Sequence, residues 1–153
     1  MGAEAKLKQL GITLPAQMSV PVANYIPSVR VGNLLFLAGH GPIRDGKATI
    51  RGKLGKELSV EDGYKVARDV GLNLLASART ALGSLDKVKR VVKVLGMVAS
   101  AEGFTDQPKV INGFSDLMVE LFGDAGRHAR SAVGMAELPM GIPVEIEMIL
   151  EVE

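Results

Sequence analysis

Cysteine is missing from all 153 residues, which excludes disulfides, thiolate metal centres and a cysteine nucleophile. Tryptophan is missing too, and with two tyrosines and four phenylalanines the chain has few rings on which to stack the bases of a single-stranded nucleic acid. Neither sign of charge is in excess: 18 lysines and arginines face 17 aspartates and glutamates, so no net field draws polyanions, and nucleic acid is not an expected partner. No apolar run approaches the roughly 18 residues of a membrane span. The segment from Met1 to Leu10 is too charged and too short in its apolar run for a secretory signal, so a cytoplasmic location is expected. The phosphate-binding GxxxxGK[ST] loop, the GxSxG elbow, the HExxH helix and the HxE…CxxC zinc-deaminase signature are all absent. His40 and His128 form a pair without a third ligand at recognisable spacing, so neither a metal nor a cofactor is expected.

What is present reads as one domain over 1–153, the usual size for a single core. Ala3, Ala5, Leu7 and Leu10 make a short helical opening that stops at Gly11, and Pro15, Pro21 and Pro27 punctuate an extended stretch. Tyr25, Ile26 and Val29 to Val31, a turn at Gly32-Asn33, and Leu34 to Ala38 predict a hairpin that runs into Gly39-His40-Gly41-Pro42. Arg44-Asp45-Gly46-Lys47 predicts a further turn. Ser59-Val60-Glu61-Asp62 has the form of a capping box, and Tyr64, Ala67, Leu74, Leu75, Ala78 and Leu82 recur at helical spacing, predicting a helix over about 60–82 that Gly83 ends. The valine-rich stretch from Lys87 to Ala99 predicts a central strand buried on two faces. A second long helix begins near Thr105-Asp106-Gln107-Pro108 and ends at Gly123. Two alternating strands close the chain: one around Arg130 to Met135, the other with Val144, Ile146, Met148, Leu150 and Val152 on one side and Glu145, Glu147, Glu151 and Glu153 on the other. The order predicts an α+β fold, a mixed sheet with two helices on one face. The second face is left uncovered and calls for a subunit contact.

Taken by spacing alone, Arg130 at a strand start is a solvated charge, the glutamates are an outer face and Tyr25 is an edge or core tyrosine. A longer pattern changes that reading. His128-Ala129-Arg130-Ser131-Ala132-Val133-Gly134-Met135-Ala136-Glu137-Leu138-Pro139, followed by Pro143-Val144-Glu145-Ile146-Glu147, resembles the carboxy-terminal signature of the reactive-intermediate deaminase (YjgF-type) family. Tyr25 with Gly32-Asn33, Ala38-Gly39-His40, Leu85 to Val88 and Val110-Ile111-Asn112 match further upstream. The resemblance covers 20–153, leaves 1–19 as an amino-terminal helical extension and marks the chain as a longer branch.

The resemblance implies a chorismate-mutase-like trimer that hydrolyses enamines and imines of short 2-oxo acids without a metal, in clefts between subunits. It implies that Arg130 binds the substrate carboxylate and Glu145 orients the attacking water. Tyr25 and the backbone of Gly39 line the cleft, with Asn112 nearby. His40, in a glycine-flanked turn, is a further candidate contact. Three positions depart from the family pattern: Ala132 stands where many members have cysteine, Ala38 where many have serine or threonine, and His40 where glutamine is common. Those departures leave the substrate range open. A carboxylate-binding or chaperone-like trimer without catalysis is the alternative, followed by an endoribonuclease or translation inhibitor and, more remotely, a chorismate mutase, because fold alone does not confer function.

Overall fold

The computed structural model describes residues 1–16 and 23–153. Pro21 and the expected boundary between extension and domain lie outside them. The chain forms α1 (Ala3–Gln9), β1 (Ser28–Val31), β2 (Leu34–His40), β3 (Ile43–Arg44), β4 (Lys47–Ala48), α2 (Val60–Leu82), β5 (Val88–Ala99), α3 (Gln107–Phe122), β6 (Ala129–Met135) and β7 (Val144–Val152).

Helix α2 begins where the sequence signals it. The Ser59 hydroxyl accepts from the Asp62 amide while the Asp62 carboxylate accepts from the Ser59 amide, satisfying donors that would otherwise be orphaned at the helix start. Gly83 ends the helix in the left-handed conformation that a Cβ would disfavour. Between the caps, Ala67, Val70, Leu74, Leu75 and Ala78 are fully buried, each leucine contributing about 1.5–3 kcal/mol of burial. Helix α3 supplies the facing wall through Val110, Ile111, Phe114, Leu117 and Met118. The two helices approach so closely at Gly113 that a Cβ there would lie 1.9 Å from the Tyr64 carbonyl oxygen.

Five strands form one mixed sheet in the order β1-β2-β7-β5-β6. All neighbours are antiparallel except β5 and β6, which run parallel and are joined by the α3 crossover that such a pair requires. The middle position belongs to β7, not to the valine-rich β5. Strand β1 starts at Ser28, leaving Tyr25 and Ile26 exposed ahead of it; Pro27 has no amide to donate to a ladder. Asp45 and Gly46, both at positive φ, close a small ribbon between β3 and β4.

Helices α2 and α3 cover the sheet face that carries Leu35, Leu37, Val94, Val98, Ile146, Met148 and Leu150, all buried. On the other face Phe36 and Val133 are each 40% exposed. Around Phe36, the residues Ile26, Val29, Ala38, Lys93, Leu95, Ser131, Glu147 and Ile149 line a shallow depression of about 550 Å³. Helix α1 is more than an appendage. Its Ala3 and Leu7, with Leu14 just beyond the helix, enter the same core, and Glu4 takes Arg79 in a two-point pair at 3.0 and 2.7 Å while accepting from the Leu85 amide. No helix is long and apolar enough to cross a membrane among the described residues.

Candidate active site

One group of candidate residues gathers at the end of β2. Between the pairs Leu37–Met148 and His40–Ile146, two residues of β2, Ala38 and Gly39, stand against one of β7, Glu147. This is a β-bulge, a device that re-aims side chains beside it. It brings Gly39 against the Glu145 carboxyl group, and a Cβ on Gly39 would lie 3.1 Å from the carboxyl carbon. Only glycine lets the backbone come this near without moving the glutamate.

Glu145 is half-buried, and its pKa is raised by desolvation and, secondarily, by the Glu147 charge. Neither glutamate has an ion-pair partner among the described residues. Glu145, Tyr25 and Gly39 share a cleft of about 530 Å³ whose far wall is apolar: Ile43, Met140 and Ile142. Met140 sits at positive φ, held by Arg51, whose Nε–H donates to its carbonyl at 2.9 Å.

His40 belongs to this region by its backbone, not by its ring. The bulge turns the imidazole into the core, where it is only 5% exposed. Nδ1 lies 2.6 Å from the Ala38 carbonyl and Nε2 2.7 Å from the Ser77 hydroxyl. A carbonyl only accepts, so Nδ1 carries the proton and Ser77 donates to Nε2. Desolvation holds the ring pKa below its usual value, against the opposing pull of the Ala38 carbonyl. His40 lines the cleft with Tyr25 and Gly39, but both ring nitrogens are used in fixing the bulge that presents Gly39.

The second group is built where β6 passes α3. Arg130 donates through Nη1 to Asn112 Oδ1 at 2.9 Å and Ser115 Oγ at 3.0 Å, and through Nη2 to the Pro108 carbonyl at 3.4 Å. Of the five guanidinium N–H groups, the Nε–H and one Nη2–H have no partner among the described residues. Their two nitrogens form one edge of the plane, the edge a carboxylate takes in a bidentate pair. Asn112 is thus a holder of Arg130. Ser115, one helical turn further on the same face, was not singled out by the sequence. Its spacing of three from Asn112 is the signal that would have found it.

The two groups do not meet within one chain. Arg130 pairs in register with Val94 and points, like Val94, toward the helices, whereas Glu145 pairs with Met97 on the uncovered face. Strand β5 also stands between β6 and β7, so within one chain the two groups are not on neighbouring strands. Among the described residues no cluster of three or more histidines, cysteines, aspartates or glutamates is placed to hold a metal ion.

Comparison with known proteins agrees with this architecture. The family described as "YjgF/chorismate mutase-like, putative endoribonuclease" matches residues 4–148, and so takes in most of α1. Protein TCP17 of Trypanosoma cruzi is 44% identical over 148 residues, covering 96% of this chain and 92% of its own. The crystal structure of a protein from Shewanella oneidensis, described as a putative endoribonuclease, superposes with a TM-score of 0.94 at 30% identity, covering 99% of this chain and all of that one (100%). RidA from an Antarctic Psychrobacter superposes with a TM-score of 0.62 at 27% identity, over 88% of this chain and 94% of its own. An α+β chain with this strand order, this carboxy-terminal motif and these relatives belongs to the YjgF/Rid family.

Proposed function

We propose that the protein hydrolyses enamine and imine intermediates of short 2-oxo acids, releasing ammonia, without a metal or other cofactor. The observation that carries the reading is the state of Arg130: three donors are tied to α3 and one edge of the guanidinium is left open. A planar fork fixed in this way selects a carboxylate over a point charge.

The chemistry asks little more of the protein. With its carboxylate on Arg130, the substrate presents a protonated imine carbon, already electrophilic, to a water aligned by Glu145. Glu145 takes a proton as the water oxygen bonds to that carbon, giving a carbinolamine. The same carboxyl then returns that proton to nitrogen; as the C–N bond breaks, the hydroxyl becomes the carbonyl and gives its proton to the Glu145 carboxylate, which passes it to the departing ammonia, leaving the 2-oxo acid and an ammonium ion. A pKa raised by burial suits a group that must both accept and give a proton near neutral pH. Holding both reactants in place supplies much of the rate gain.

Because Arg130 and Glu145 occupy opposite faces of one sheet, the reading requires that a site take its arginine from one copy and its glutamate from another. A homotrimer packed through the uncovered faces gives three such sites, and the exposed Phe36 and Val133 supply apolar surface for that contact. Arg130 alone would also serve a protein that merely binds small carboxylates. The desolvated Glu145, unpaired among the described residues, favours turnover. Near-balanced charge and scarce aromatics give an endoribonuclease no phosphate track.

The test is ammonia release from freshly generated 2-aminoacrylate, which should exceed the buffer rate with the native protein and fall to it with Arg130→Ala. Calorimetric titration with 2-oxobutyrate should show a loss of affinity of about tenfold to a hundredfold in Arg130→Ala, with Arg130→Lys recovering little. A native protein that binds 2-oxobutyrate but releases no ammonia would establish the binding-only alternative.

A further inference from the structure

Behind Arg130 lies a hydrogen-bond chain whose polarity can be worked out donor by donor. His128 Nδ1 is 2.7 Å from the Gly126 carbonyl, which can only accept, so Nδ1 bears the ring proton. In the neutral ring Nε2 is then an acceptor, and the Ser115 hydroxyl 3.0 Å away must spend its single hydrogen there. That fixes the hydroxyl rotor and turns the lone pairs of Ser115 Oγ toward Arg130 Nη1, also 3.0 Å away.

The ring itself is held. Its centroid is 5.8 Å from that of Phe114 in an edge-on arrangement. Desolvation, opposed by the Gly126 carbonyl and helped by the Arg130 charge, lowers its pKa and so favours the neutral ring. Asn112, by contrast, grips the same Nη1 with a side chain whose oxygen has no such rear support among the described hydrogen bonds.

We infer that Ser115 and His128 are positioning residues: the relay Arg130–Ser115–His128–Gly126 orients the guanidinium so that its Nε/Nη2 edge faces the incoming carboxylate. Neither side chain touches substrate. Each acts through Arg130, so the inference rests on the proposed carboxylate-binding role of that residue. A serine without the histidine would be free to donate elsewhere and present its hydrogen to the cation. A histidine without the serine would leave Nη1 with one partner where it now has two.

The experiment uses the full chain, with 2-oxobutyrate as the titrant and ammonia release as the kinetic readout. Ser115→Ala should weaken 2-oxobutyrate binding by about threefold to tenfold and raise KM with little change in kcat, because the carboxylate is held equally in ground and transition states. Melting temperature and particle size should stay at native values. Ser115→Thr, which keeps the hydroxyl, should return affinity to within about twofold of native. His128→Phe, which keeps the ring against Phe114 but removes the acceptor, should shift affinity in the same direction as Ser115→Ala. Native affinity in Ser115→Ala alongside a large loss in Arg130→Ala would overturn the relay and leave the function standing. Weak binding that comes with early melting, and that Ser115→Thr fails to rescue, would make the chain of bonds a folding element and overturn it too. Native affinity in Arg130→Ala would instead remove the carboxylate-binding reading and the relay with it.

Discussion

At the scale of single residues, the chain shows how far a side chain's role is decided by what stands beside it. Glu145 and Glu147 alternate with apolar residues on one strand and look alike in the sequence, yet burial raises the pKa of Glu145. If Glu145 is the base, the rate should decline as pH falls through its pKa, since only the ionised form accepts a proton, and that decline should begin above the ordinary carboxylate range of about 4.3. Glu145→Gln should flatten this acid limb and cut kcat by about a hundredfold or more, while 2-oxobutyrate affinity stays near native. Matching losses in rate and affinity would assign Glu145 a structural duty instead. His40 was the residue least legible in the sequence. Glycines on both sides suggested an open turn, but the bulge consumes one residue of register and sends the imidazole inward to Ala38 and Ser77. Bulges depend on how two distant strands pair, and no local pattern around 38–40 encodes that.

Elements were easier to read, for reasons that are local. The α2 limits follow from a capping box and a left-handed glycine, both written within four residues of the boundary. Valine content points to β5 as the middle strand because it reports burial, whereas strand order is set by long-range pairing with β7, which takes that place. Helix α1 looks like an extension in the sequence, yet Leu7 is buried and Glu4 ties the first turn to Arg79 and Leu85, partners some 80 positions away that no local window contains. The contact between α2 and α3 supports a sharper prediction. Gly113→Ala places a methyl group on backbone that cannot swing aside, 1.9 Å from the Tyr64 carbonyl oxygen. The helices must separate, and thermal or urea unfolding should register a loss of about 1–3 kcal/mol or more. A neutral or stabilising effect, the usual result of replacing a helical glycine by alanine, would mean that the helices have room to spare.

For the whole molecule, the division of the candidate site between two sheet faces yields a test that does not depend on seeing the assembly. Arg130→Ala and Glu145→Gln should each be nearly inactive alone. Unfolded together, mixed in equal amounts and refolded, they should regain about a quarter of native activity, because in a closed ring of randomly mixed copies about one contact in four joins an intact arginine to an intact glutamate. No recovery from a mixture shown by light scattering to contain particles of about three chains would place both groups in one subunit's site and sink the shared-site proposal.

On that layout a newly made chain is chemically silent however well it folds. Damage to the apolar surface at Phe36 or Val133 would then read in an activity screen as loss of catalysis. Dilution would mimic a mutation, and a surplus of one defective subunit would silence sound ones by occupying their neighbours' places.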